Sequence, residues 1–535
     1  MITGILAGAG DSLEGAYGKM VPVNFRATGE RPNLGSAEQV GHPSVVHPSQ
    51  EDAFVRGISE AVGGPLGEHA ARVKVIDRMW TAPRIIIVLA ILIFGLHWIQ
   101  KSPCQDGAWA NHEQYRNFCY TDVLALYFAE HLHEGAVPYF DWPVEYPVLT
   151  GFFMGALGLP VHDFATANPD INQAQAFYNL NALVLSAFGI AAIAAVLALR
   201  RRRPWDAAMF VLAPALLVTA TVNWDLLAVG LTAFFLYAWA KRMPVLAGVL
   251  LGLAVSAKLY PLFLLGPLFV LALRTWRWRR FAITTGIAAI TWLVVNLPVI
   301  IWAYDGWLRF WSLSSKRPID WGTFWYIGAH LPVSPNSGGG IEPFTTLGAD
   351  IPLLNTISYL LFGLACVGVA VLGLRAPVRP RLAQLGFIVI ALFLLTSKVW
   401  SQQFVLWVIP LAVLARPRWG AFLAWQLAEI GYFFAFYAQM LNISGQFTIP
   451  EGTYVLASFL RWVTLAVLVG FVVRDMLRPE RDVVRRTYGD DPDGGDFTGA
   501  YDEGLVRLRR WYDRARDQYA SVRARYLSPN SPPPN

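Results

Sequence analysis

Charge is scarce in this chain: 15% of its 535 residues are Asp, Glu, Lys or Arg, against 55% that are hydrophobic, an imbalance that belongs to a protein crossing a membrane many times. Cysteine is scarcer still, with three in all. No cleavable leader is expected, because about eighty mixed residues precede the first apolar run, which is expected to act as an uncleaved anchor. A Gly-rich phosphate loop is also lacking: AGAGDSLEG near the start follows no hydrophobic strand. The spacing of His112, His131 and His133 fits no zinc pattern, so they are read as interfacial residues and no metal or cofactor is expected. A net charge of +6 does not imply nucleic acid, because the arginine clusters stand at helix ends, where the positive-inside rule puts them.

What is present is apolar and periodic. A bilayer core takes roughly 20 apolar residues per helix. Reading Arg72, Lys74, Arg78 and Arg84 as cytoplasmic puts the amino terminus inside; the clusters at 200–203, 241–242, 274–280, 375–381, 416–418 and from Arg474 onward mark the same side. Spans then fall near 85–100, 176–199, 206–222, 226–240, 243–257, 259–273, 281–302, 352–374, 382–397, 402–415, 419–441 and 453–473, about twelve in all. Residues 148–161 are apolar too, but a crossing there would put the four-arginine run outside, so they are read as a re-entrant or interfacial helix. The expected fold is an all-α integral-membrane bundle in three parts: a largely disordered cytoplasmic segment over 1–80, a membrane domain over 81–475, and a cytoplasmic tail over 476–535.

Two outer loops, 100–147 and 304–350, exceed the roughly 15 residues beyond which a connection is usually functional or disordered. In the first, Leu124, Tyr127, Phe128 and Leu132 recur at helical spacing, which predicts a helix over 121–134 lying along the membrane surface with its acidic start, Asp122, exposed. Cys104 and Cys119 share that loop; an oxidising compartment would join them, closing about fifteen residues for roughly 3 kcal/mol. Cys366 falls inside a span as a small buried residue. The tail carries GDDPDGGD and then Leu505, Leu508, Trp511, Tyr512, Tyr519 and Tyr526 among many arginines. That last amphipathic helix either lies on the inner leaflet or packs on cytoplasmic loops.

The topology gathers the remaining polar residues on the outer side. Asp122 is either a helix cap or a functional acid, and Glu145 is an interfacial carboxylate whose apolar surroundings suit a general base. Lys258 and Lys398 stand at two outer helix junctions, where a lysine either snorkels to headgroups or meets an anion. Arg309, Lys316 and Arg317 add positive charge on a face expected to be poor in it, which suits a phosphate at headgroup level. Asn223, Trp224 and Asp225 form a tight outer turn whose polar groups either serve the turn or bind sugar hydroxyls.

Four elements together resemble glycosyltransferase family 87: the first outer loop with Asp122, the EYP run of Glu145, Tyr146 and Pro147, the K-x-YP run of Lys258, Tyr260 and Pro261, and the K-V-x-S-x-Q run that includes Lys398, Ser401, Gln402 and Gln403. The resemblance covers about residues 85–475 and departs from the family at SQQF, where a proline before the glutamine is expected, and at EYPV, where EYPP is common. It implies a C-type membrane enzyme, similar to actinobacterial mannosyltransferases of glycolipid assembly, that moves mannose from a polyprenyl-phosphate donor to a glycolipid or polysaccharide acceptor outside the plasma membrane. Asp122 would be the catalytic base of a single inverting displacement. Lys258, Tyr260, Lys398, Arg309 and Arg317 would hold the donor phosphate, and Glu145, Tyr146, Asn223, Asp225, Ser401, Gln402 and Gln403 the substrates. Envelope-assembly proteins would be met through the tails. The rival readings are a lipid-linked sugar flippase, which would place its charges near the bilayer midplane, and a non-catalytic assembly scaffold.

Overall fold

An apolar run buried away from water must satisfy its own backbone, and among the described residues the chain does so with helices throughout. The computed structural model describes residues 45–63, 81–331 and 340–527; Arg72, Lys74 and Arg78 lie outside them. The main helices are α1 (Ala53–Gly63), α2 (Ala82–Lys101), α3 (Asp122–Ala129), α4 (Val148–Ala167), α5 (Gln173–Leu199), α6 (Asp225–Ala240), α7 (Pro244–Ala257), α8 (Leu265–Thr275), α9 (Trp278–Trp302), α10 (Tyr304–Lys316), α11 (Ile351–Arg375), α12 (Leu382–Thr396), α13 (Val405–Ala415), α14 (Trp419–Ile443), α15 (Glu451–Leu477) and α16 (Glu503–Leu527). Six of the described helices are long and apolar enough to cross a membrane: α2, α4, α5, α9, α11 and α15. Among the described residues this is an all-helical fold of integral-membrane character.

Length sorts the helices into two shells. In α9 and α11 the most apolar stretch is only 22% and 17% buried in protein, so most of it faces lipid. The shorter α12 and α13 are buried almost along their whole length and form the centre. Close packing depends on small residues: a Cβ on Gly248 or Gly252 of α7 would sit 2.7 Å from the Thr284 carbonyl oxygen or 2.6 Å from that of Ala288 on α9. Without a hydrophobic force between lipid-facing helices, such backbone approach is what holds α7 to α9.

The helices α6, α7, α8, α12 and α13 stop short at one end of the bundle, leaving non-helical backbone at 220–224, 258–259 and 397–401. At the other end the arginine clusters are closed by acids from the tail: Arg200 reaches Asp493 at 2.6 Å, Arg381 reaches Asp482 at 2.7 Å, and Arg274 reaches Asp502 at 2.8 Å. Residues 48–63, expected to be disordered, are helical and dock at that same end. Asp52 accepts the Trp419 N–H at 2.8 Å and Glu51 pairs with Arg203.

Three further expectations need correction. Residues 206–222 do not form one rod, since the chain breaks at Ala213 ahead of Pro214, which cannot donate to the helical ladder. The helix expected over 121–134 ends at Ala129, and its apolar face packs on protein while Phe128 stays exposed. Val123, Leu124 and Tyr127 are buried, with Tyr127 stacked on Phe177 at 4.1 Å. Asp122 is half-buried rather than exposed. Cys366 is half-buried rather than buried. As for α4, it is long enough to span, yet it runs along the first loop: Gly155 packs on Pro138, and His162 binds the His133 carbonyl at 2.9 Å. The turn after α4 reaches the same loop again, where Asn172 binds the Asp106 carbonyl at 3.3 Å.

Candidate active site

The three non-helical junctions and the first loop converge on a cavity of about 570 Å³. Asp122 enters it from the first turn of α3. Thr121 caps that helix by accepting the Val123 N–H at 3.2 Å and donates its own hydroxyl to the Thr221 carbonyl at 2.6 Å, while the Asp122 N–H reaches the Val222 carbonyl at 2.7 Å. The start of α3 is thereby pinned to the turn before α6, and the Asp122 side chain has one place to go.

Asn223 is the hub. Its amide donates to Asp122 Oδ2 at 2.7 Å and to the Tyr146 hydroxyl at 2.5 Å, and its carbonyl oxygen accepts from Lys258 Nζ at 3.3 Å. Lys258 lies over the Tyr146 ring at 4.6 Å and 3.6 Å from Asp225 Oδ2. Gln403 adds a long contact to Asp122 Oδ2 at 3.5 Å. Withdrawal from water pushes the Asp122 carboxyl above its usual range, and the Asn223 hydrogen bond only partly opposes this. Among the described residues Asp122 has no ion pair, and a half-buried carboxylate left unpaired has the properties of a general base.

Across the cavity stand cations. Lys398 donates to the carbonyls of Arg317, at 2.5 Å, and Ser315, at 3.4 Å, and both Lys398 and Arg317 line the wall. Burial first and the Arg317 charge second hold the Lys398 ammonium below its ordinary range. Two like charges kept together over open space await an anion. One flank of the cavity, with Phe263, Tyr359, Phe362 and Phe393, is apolar and is built from the segment leading into α8, from α11 and from α12.

Of the residues expected at the site, Asp122, Glu145, Tyr146, Asn223, Lys258, Tyr260, Arg317, Lys398, Ser401, Gln402 and Gln403 line this one cavity. Asp225 and Arg309 do not. Asp225 is fully buried behind Lys258 and accepts the Trp407 indole N–H at 2.6 Å, so it serves Lys258 rather than a substrate. Tyr260 shows its ring to the cavity, stacked on Trp407 at 4.6 Å, but spends its hydroxyl on Thr232 at 3.1 Å. Gln402 gives its amide to the Tyr437 hydroxyl at 2.8 Å. Cys104 and Cys119 are joined by a disulfide within the first loop.

Sequence reasoning missed several groups. Asp320 and Trp321 of the second loop line the cavity, and burial raises the Asp320 carboxyl. Tyr115, Tyr120 and Tyr432 complete an aromatic wall. Glu130 is buried, accepts the Glu145 N–H at 3.2 Å, and is pushed up to about 7 by desolvation. Their neighbours in sequence carry no periodicity or motif that would single them out. In comparisons with known proteins, residues 172–397 match the model of glycosyltransferase family 87. No curated protein matches the chain.

Proposed function

We propose that this chain, a membrane glycosyltransferase of family 87 by its central helices, transfers mannose from a polyprenyl-phosphate donor to a glycolipid or polysaccharide acceptor on the outer face of the plasma membrane. The observation that carries the reading is the pairing, in one cavity, of an unneutralised carboxylate, Asp122, with the cations Lys258, Arg317 and Lys398, beside an apolar flank suited to a prenyl chain. Asp122 takes the proton from the acceptor hydroxyl as its oxygen attacks the anomeric carbon. The bond from that carbon to the phosphate oxygen breaks, and polyprenyl phosphate leaves with the negative charge that Lys398, Arg317 and Lys258 stabilise. Anomeric configuration inverts. Both termini and the arginine-rich end face the cytoplasm.

The test uses the purified protein in liposomes with labelled polyprenyl-phosphate-mannose and a panel of glycolipid acceptors. A new glycoside with stoichiometric release of polyprenyl phosphate supports the proposal. Movement of the donor across the bilayer with no glycoside formed would make the protein a flippase instead, and neither outcome would leave it a scaffold.

A further inference from the structure

We propose that Arg461, held by Glu429, is a positioning residue for the Lys398 side of the cavity; the inference rests on the functional reading above. Arg461 lies in the middle of α15 and Glu429 in the middle of α14, 0% and 4% exposed. A charged pair at that depth carries a large desolvation penalty and persists where it does something that apolar side chains cannot.

Every face of the guanidinium is used. Nε donates to Glu429 Oε2 at 2.8 Å, Nη1 to the Trp400 carbonyl at 3.0 Å and Nη2 to the Ser401 carbonyl at 3.2 Å. The rings of Trp400 and Tyr432 each lie 4.1 Å from its central carbon. Glu429 is itself fixed by the Trp425 indole, which donates to Oε1 at 3.0 Å. Trp400 and Ser401 belong to the break between α12 and the short turn at Gln402–Phe404, so the Trp400 carbonyl has left the helical ladder in apolar surroundings, while the Ser401 carbonyl also accepts the Phe404 N–H at 3.2 Å. An unpaired carbonyl there is costly, and Arg461 satisfies that of Trp400 while tying it to that of Ser401.

The same break carries the chemistry. Lys398, Ser401, Gln402 and Gln403 face the cavity from it, as does Tyr432 from α14. Arg461 touches none of the reacting groups we assign; it acts by fixing the backbone that aims Lys398 and Gln403. Lysine cannot replace it, because a point charge cannot span two carbonyls and a carboxylate in one plane.

The test compares reconstituted wild type, Arg461→Lys and Glu429→Gln for donor KM, acceptor KM, kcat and thermal stability. Loss of hydrogen bonds to a charged group is expected to raise the donor KM roughly tenfold or more in Arg461→Lys and several-fold in Glu429→Gln, with the acceptor KM within about twofold of wild type. A donor KM unchanged in a folded variant, with only the yield of folded enzyme reduced, would overturn the positioning role. Should Arg461→Lys not fold, Glu429→Gln carries the same test. Binding of polyprenyl phosphate alone, read as a shift in unfolding temperature, separates this inference from the functional one. Weaker binding in the variants supports positioning even if no transfer is ever detected, and equal binding refutes it.

Discussion

Replacing Asp122 with Asn should drive activity and stability in opposite directions. The amide keeps the shape of the carboxylate, and its oxygen can still accept from the Asn223 amide, which lies 2.7 Å from the acid in the wild type. What it loses is the capacity to take a proton, a contribution of about 10²- to 10⁴-fold in rate. Stability moves the other way because burial raises the folded-state pKa of Asp122 above its unfolded value. A carboxyl shifted in that direction contributes stability that is fully present below the unfolded pKa and is lost as pH rises through the folded pKa. Above the folded pKa the ionised Asp122 is therefore a burden on the fold, and there the variant should unfold at the same or a higher temperature than wild type. The gap should close as the pH falls below the folded pKa. Wild-type turnover should fade over that same acid range, since the base becomes protonated. Labelled transfer assays beside unfolding scans over a pH series from acid to mildly alkaline read both effects. Turnover within about tenfold of wild type, or a drop of several degrees in unfolding temperature above the folded pKa, would refute the assignment of Asp122 as base.

Lys398→Met should raise the donor KM by roughly ten- to a hundredfold in transfer assays, the loss of a charged hydrogen bond to phosphate, while also depriving the Arg317 and Ser315 carbonyls of their hydrogen-bond partner. Cys104→Ser opens a loop of 15 residues and should cost about 3 kcal/mol, visible as a lowered unfolding temperature that reductant reproduces in the wild type. Glu130→Gln should raise the unfolding temperature more at pH 8 than at pH 5, because a carboxyl pushed up to about 7 loses its stabilising contribution as pH rises through that value. Asp482→Asn strands the buried Arg381 and should cost about 3–5 kcal/mol at neutral pH. The Asp482 carboxyl is held below its usual range by Arg381 against the opposing effect of burial, so its contribution is present above the unfolded pKa and fades as pH falls through the lower folded one. Variant and wild type should converge in strong acid.

The helical rods were legible because apolar runs and arginine clusters report the same boundaries twice: α6 was expected over 226–240 and occupies Asp225–Ala240, and α11 was expected over 352–374 and occupies Ile351–Arg375. The run 206–222 misled because hydropathy is blind to the missing N–H of Pro214. The helix at Asp122 misled for a different reason: amphipathic spacing reveals one buried face but not whether lipid or protein covers it. Asn223 was hardest to weigh. A turn asparagine and a hub asparagine look alike in one dimension, and only the return of Asp122, Tyr146 and Lys258 to the same amide separates them. Arg461 and Glu429 were visible as lone charges in apolar runs but lie outside every motif, so nothing in the sequence tied them to the break at Trp400.

The two ends of the bundle treat charge by opposite rules, and that contrast argues for where the chemistry lies. At the arginine-rich end, Arg200, Arg203, Arg274, Arg381 and Arg416 each have a carboxylate within 3.0 Å, which is how a fold disposes of charge it must bury. At the cavity end Lys258 has Asp225 behind it at 3.6 Å, but Asp122, Glu145 and Asp320 line the wall with no ion pair within 4 Å among the described residues, and Arg317 and Lys398 face the same space with none either. Pairing these groups with one another would stabilise the empty protein. Keeping acids and cations apart across a cavity leaves their charges uncompensated by one another, which is the arrangement the proposed hydroxyl acceptor and phosphate donor would use.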